Sequence, residues 1–143
     1  MSKSIYPFNK ATTGKETPKI PLILTNPLNG KQLCVLALLD TGADVCTLPV
    51  MIARTLELEQ SDKTKTKHGT SGISGKPLST YEHTINIGLL SEDRSHVVRS
   101  LNVKVNSLGS GGIPPIIGTS MFLEKFIVTL DYPKKSICLE WDD

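Results

Sequence analysis

The chain has 143 residues, 38% of them apolar and 21% charged, which fits a single soluble globular domain and excludes disordered, collagen-like and coiled-coil classes. Sixteen Lys and Arg against fourteen Asp and Glu leave a formal charge of +2. That balance is too even to make nucleic acid or an anionic membrane an expected partner.

Residues 1–19 mix Lys, Thr, Ser, Gly and Pro without periodicity and read as a loosely ordered amino-terminal arm. The folded domain is expected over residues 20–143. It opens with two short apolar runs, 20–25 and 32–39, separated by Asn26-Pro27-Leu28-Asn29-Gly30; the Asn-Gly ending supplies the positive φ that a hairpin turn needs. The second run stops at Asp40-Thr41-Gly42-Ala43-Asp44, a polar turn, and a further short strand is expected over 45–48. Pro49 suits the first turn of a helix over 50–58, with Met51, Ile52, Thr55 and Leu56 at helical spacing. Lys63, Lys65 and Lys67 alternate in a polar stretch and read as a solvated face rather than an anion site.

Residues 68–77 carry three glycines around Ile73 and predict a mobile hairpin tip. Alternation in Thr84-Ile85-Asn86-Ile87 and Leu101-Asn102-Val103-Lys104-Val105 predicts long strands over 78–90 and 96–108. Ile116-Ile117-Gly118 then leads into a helical turn or two over 119–125, and strands over 126–130 and 136–141 flank a proline-bearing turn. Many short strands with one or two short helices give a mainly β fold, a closed or partly closed barrel.

The longest apolar run, residues 33–39, is far short of a spanning helix, so no membrane partner is expected and the cytoplasm is the default compartment. Cys34, Cys46 and Cys138 are an odd, widely spaced set, which fits free thiols in a reducing environment. His68, His83 and His96 lack metal-ligand spacing, so neither a metal nor another cofactor is expected. The glycines at 69, 72 and 75 lack the Lys-Ser/Thr and following helix of a phosphate loop, and Cys46 lacks the context of a thiol nucleophile.

The stretch Ala37-Leu38-Leu39-Asp40-Thr41-Gly42-Ala43-Asp44, with the later Ile116-Ile117-Gly118, strongly resembles the retropepsin-like (retroviral-type) aspartic proteases and their cellular and bacterial relatives. The order of parts agrees over roughly residues 20–141. The resemblance implies a retropepsin-like acid-protease fold, an aspartic endopeptidase and a homodimer acting on peptide or protein substrates. It also implies catalytic roles for Asp40, Thr41 and Gly42. Ala43 and Asp44 would line the substrate groove, Thr70, Ser71, Gly72, Ile73, Ser74 and Gly75 would form a flap over it, and Ile116, Ile117 and Gly118 would brace the active-site loop from behind.

The chemistry gives an independent reason for two copies. Hydrolysing an amide with water takes one ionised carboxylate to accept the water's proton and one protonated carboxyl to donate to the carbonyl oxygen, and two acids in contact share a single proton. Asp44, Asp62, Asp93, Asp131, Asp142 and Asp143 all lack the Asp-Thr-Gly context of Asp40, so one chain holds half of such a pair and a two-fold axis completes it. The chain departs from viral relatives in one respect. There the Gly of the second motif is followed by Arg and Asn, the Arg pairing with the acid that stands where Asp44 is, whereas Gly118 is followed by Thr119-Ser120; Lys125 or an arm lysine is the available substitute. The apolar alternation Ile137, Leu139, Trp141 offers a face for a dimer sheet. An alternative keeps the fold without the enzyme, as a catalytically silent peptide-binding or dimerisation module.

Overall fold

The computed structural model describes residues 1–61, 64, 70–71, 77–78, 80–109 and 112–143. In chain order the elements are β1 (Ser2–Pro7), β2 (Asn9–Lys10), β3 (Glu16–Thr17), β4 (Lys19–Thr25), β5 (Gln32–Leu39), β6 (Cys46–Pro49), α1 (Val50–Thr55), β7 (Thr70–Ser71) and β8 (Pro77–Leu78). There follow β9 (Thr80–Leu90), β10 (Val97–Leu108), β11 (Ile116–Ile117), a 3-10 turn (Leu123–Lys125), β12 (Ile127–Asp131) and β13 (Ser136–Trp141).

Six strands close into a barrel in the order β10-β6-β11-β5-β4-β9, with β10 bonded back to β9. Its walls are the two hairpins the alternation predicts, β4 with β5 and β9 with β10, joined by antiparallel pairing of β4 with β9. Every second residue points inward: Ile20, Leu22 and Leu24 from β4, Ile85, Ile87 and Leu89 from β9, and Val103 and Val105 from β10 are buried. Burying one such side chain stabilises by about 1.5–3 kcal/mol, so the barrel interior dominates the folding energy. The β4–β5 turn forms as the sequence predicts, with Gly30 at φ 76° and its N–H bonded to Asn26 O at 2.8 Å.

The expected loose arm is instead part of a sheet. β1 pairs antiparallel with β13 through the register Ser2↔Trp141 to Pro7↔Ser136, and β13 pairs on its other side with β12. Tyr6 and Phe8 are buried, and Tyr6 Oη donates to Leu90 O at 2.6 Å; Ser2 Oγ donates to Asp143 Oδ1, tying the chain ends together. Burial of two aromatic rings outweighs the polar composition around them.

The same pairing corrects the expectation for residues 136–141. Both edges of β13 are filled within the chain, and Ile137, Leu139 and Trp141 face the chain's own core, Trp141 edge-on to Phe126 with ring centroids 5.5 Å apart. The helix packs on part of its expected face, with Leu56 and Ile52 against the core and Met51 and Thr55 exposed. It is six residues long, Ala53 and the following Leu56 are buried, and Met51 points to solvent. Glu57, at φ 55°, ends it, and the freed Leu56 carbonyl accepts from Asn26 Nδ2 at 2.8 Å and from Asn29 Nδ2 at 3.3 Å.

Candidate active site

The site is built where β5 runs out. β11 lies parallel to the last two residues of β5, Ile116 beside Leu38 and Ile117 beside Leu39, and antiparallel to Thr47 of β6. The ladder extends one step past the strand, because Asp40 N–H donates to Ile117 O at 3.0 Å. Asp40 therefore leaves a fixed β-ladder rather than a free loop.

The chain then turns sharply. Gly42 N–H donates to Asp40 Oδ1 at 2.9 Å and Ala43 N–H to Asp40 O at 3.2 Å, so one carboxylate oxygen is anchored by the turn it begins. Asp40 is half-buried, while Thr41 and Gly42 are exposed. The Thr41 hydroxyl has no hydrogen bond among the described residues.

The segment after β11 clamps this turn from behind. Thr119 N–H donates to Ala43 O at 2.9 Å and Ser120 N–H to Asp44 O at 2.7 Å. Gly118 sits so close that a Cβ there would lie 2.6 Å from Val45 O and 2.7 Å from Ala43 O, both backbone atoms that cannot swing aside. Only glycine fits. The Gly118 N–H points at Cys46 Sγ at 3.4 Å.

Burial pushes the Cys46 thiol up to about 11, with the Gly118 N–H opposing weakly. A thiol held protonated beneath the loop is no nucleophile, and the buried His83 ring lies 3.1 Å from Ser107 Oγ rather than against a cysteine. Among the described residues no cluster of three or more His, Cys, Asp or Glu is arranged to hold a metal, and no helix is long and apolar enough to cross a membrane.

The structure thus gathers Asp40, Thr41, Gly42, Ala43, Asp44, Ile116, Ile117 and Gly118 into one hydrogen-bonded unit. Thr70 and Ser71 form β7, paired with Leu78 and Pro77 of β8, while Gly72, Ile73, Ser74 and Gly75 lie outside the described residues. Neither Lys125 nor an arm lysine stands in for the Arg of viral relatives: the ion pair among the described residues is Lys31–Glu57, exposed and remote in sequence from the loop. Thr119 meets Asp44 through its backbone carbonyl alone, from Oγ1 at 3.4 Å. Sequence reasoning missed Cys46 as the loop's floor; its alternation with Leu48, both buried, was the available signal.

Solved structures share this fold. A retropepsin-like aspartic protease from Rickettsia conorii superposes with a TM-score of 0.68 at 18% identity, over 98% of this chain and 91% of that one. The chain has a retropepsin-like fold. The EIAV protease bound to an inhibitor matches with a TM-score of 0.54 at 16% identity, over 80% of this chain and 92% of that one. The retroviral protease-like domain of Ddi1 from Leishmania major matches with a TM-score of 0.53 at 12% identity, over 90% and 97%. No protein-family model matches the chain, and no curated protein matches it in sequence. The likeness lies in the path of the backbone, and within the retropepsin-like fold the Asp40 turn takes its place at the end of a barrel strand.

Proposed function

We propose that the protein is an aspartic endopeptidase whose active form is a homodimer, with Asp40 of each copy facing the other across a two-fold axis. The observation that carries this reading is the Asp40 turn. One carboxylate oxygen is held by the Gly42 N–H, the backbone is clamped by Gly118–Ser120, and the exposed Thr41 hydroxyl has no hydrogen bond among the described residues. A rigid acid with one open side is half of a proton-sharing pair.

In the dimer one Asp40 accepts a proton from water as the oxygen attacks the peptide carbonyl, and the other donates its proton to the carbonyl oxygen. Collapse of the resulting tetrahedral diol passes a proton to the amide nitrogen and breaks the C–N bond. Thr41 bonds across the axis and holds the two turns in register, and Ala43 and Asp44 border the peptide groove. The segment around Ile73 serves as the flap that excludes water.

A silent peptide-binding module is favoured by one observation, the absence of an ion pair to the Asp44 carboxylate among the described residues. The two readings separate in one assay. Purified protein incubated with a mixed peptide library between about pH 4 and 7 is expected to cleave it, to be blocked by statine-containing peptides, and to lose activity in Asp40→Asn. Cleavage that survives Asp40→Asn rejects the dyad, and no cleavage with retained peptide binding establishes the silent module.

A further inference from the structure

The loop joining β9 to β10, the first residues of β4 and the corner between β1 and β2 border a cleft of about 190 Å³. Its floor is apolar, with Tyr6, Phe8 and Pro21 all buried, and a cavity of ~150 Å³ is already large enough to take up a benzene ring. Its walls are charged. Lys10, Lys19 and Arg94 line it against one acid, Glu92, so this cleft alone carries a formal charge of +2, as much as the whole chain. None of the three cations makes an ion pair or a side-chain hydrogen bond among the described residues.

The backbone fixes these walls. Lys19 opens β4 opposite Leu38 of β5, and Lys10 lies in the β2–β3 ladder opposite Glu16. Arg94 has φ 62°, a region where Gly or Asn sits at less cost. Its turn is held there by Arg94 N–H donating to Ser91 O at 2.8 Å, and by Asp93 Oδ1 accepting from Ser91 Oγ at 2.7 Å and from Ser95 N–H at 3.0 Å. A long cation kept at a strained position by its neighbours suits a binding role better than a turn-forming one.

We infer that this cleft binds a small organic dianion, a flat apolar body carrying a phosphate monoester or two carboxylates. Tyr6, Phe8 and Pro21 take the apolar body out of water. Lys10, Lys19 and Arg94 face its charge, and the Arg94 fork can bond two oxygens at once. A neutral ligand gains nothing from the cations, and a cation meets net repulsion. Glu92 works against the anion, so its loss acts with a sign opposite to the loss of any of the three cations.

The test is calorimetric titration of the purified full chain near pH 7.5 at low salt with phenyl phosphate, isophthalate, inorganic phosphate and benzyl alcohol; it reads binding alone and stands whether or not the chain cleaves peptides. Phenyl phosphate or isophthalate is expected to bind once per chain with a Kd on the order of 0.1–1 mM, the tighter of the two naming the head group. Inorganic phosphate is expected to bind about tenfold more weakly for want of the apolar body, and benzyl alcohol not measurably. Lys19→Gln and Arg94→Asn are each expected to raise Kd about two- to fivefold and together by about the product, whereas Glu92→Gln lowers it and Lys104→Gln, exposed on β10 outside the cleft, leaves it unchanged. Should the double variant lose its circular dichroism, the opposite signs of Glu92→Gln and Lys19→Gln decide. No binding of either dianion at about 10 mM, binding that the cation variants leave unchanged, or a Glu92→Gln that binds more weakly overturns the inference.

Discussion

Gly118 and His83 show how single positions constrain the molecule. At Gly118 a methyl group would meet two backbone carbonyl oxygens inside van der Waals contact, so Gly118→Ala is expected to cost about 1–3 kcal/mol in urea unfolding and, on the proposed protease reading, to slow peptide cleavage by displacing the Asp40 turn. His83 is buried in β9, and burial lowers its pKa below the ordinary 6.5, with Glu59 and Glu82 opposing. The unfolded chain then takes up a proton near pH 6.5 while the folded chain resists. Stability is full above that pH and falls as the pH drops toward the folded value. Urea midpoints at pH 5, 6 and 7.5 are expected to show this slope, and His83→Gln, which keeps a partner for Ser107, to flatten it. The Asp40-Thr41-Gly42 turn was legible because its hydrogen bonding is local to three residues. The role of Cys46 was not, because its partner, the Gly118 N–H, is 72 positions away.

Among elements, hairpins were the most readable and terminal strands the least. The β4–β5 and β9–β10 pairs announce themselves through alternation and turn residues, which act over a few positions. Helix α1 was legible in position and, through Ile52 and Leu56, in part of its buried face; six residues are too few for a periodicity to settle the rest, and Ala53, a small residue, faces the core where Met51 does not. Its end is held by Asn26 from the β4–β5 turn. Asn26→Ala leaves the buried Leu56 carbonyl short of a donor and is expected to cost about 1–3 kcal/mol, read as a lower melting temperature with the barrel's circular dichroism retained. The arm misled because only Tyr6 and Phe8 pack in a polar run, and the strand that covers them lies at the far end of the chain. Tyr6→Ala is expected to cost about 3–5 kcal/mol, and deletion of residues 1–10 to uncover the β13 edge and promote self-association, measurable by light scattering.

For the whole molecule, the mainly β class, the barrel and the order of parts were readable from one sequence, since each rests on short-range patterning. The proposed dimer rests on a requirement of chemistry alone: one Asp-Thr-Gly turn per chain against a proposed reaction that takes two acids. Where two copies would meet in that dimer is a property of surfaces whose exposed apolar residues, Ile5, Val45, Met51 and Ile127 among them, are scattered along the sequence. The filled edges of β13 direct any sheet extension to the outer edge of β1 or β12 instead. Mixing subunits tests the shared dyad most directly. Wild-type protein at fixed concentration is titrated with Asp40→Asn under conditions that allow subunit exchange, and cleavage of a reporter peptide is followed. A dyad drawn from two chains predicts that each wild-type copy captured by a variant copy is silenced, with activity falling to about half at equal concentrations and toward zero in excess variant. Activity that stays at its starting value, with exchange verified by differently labelled subunits, contradicts the account.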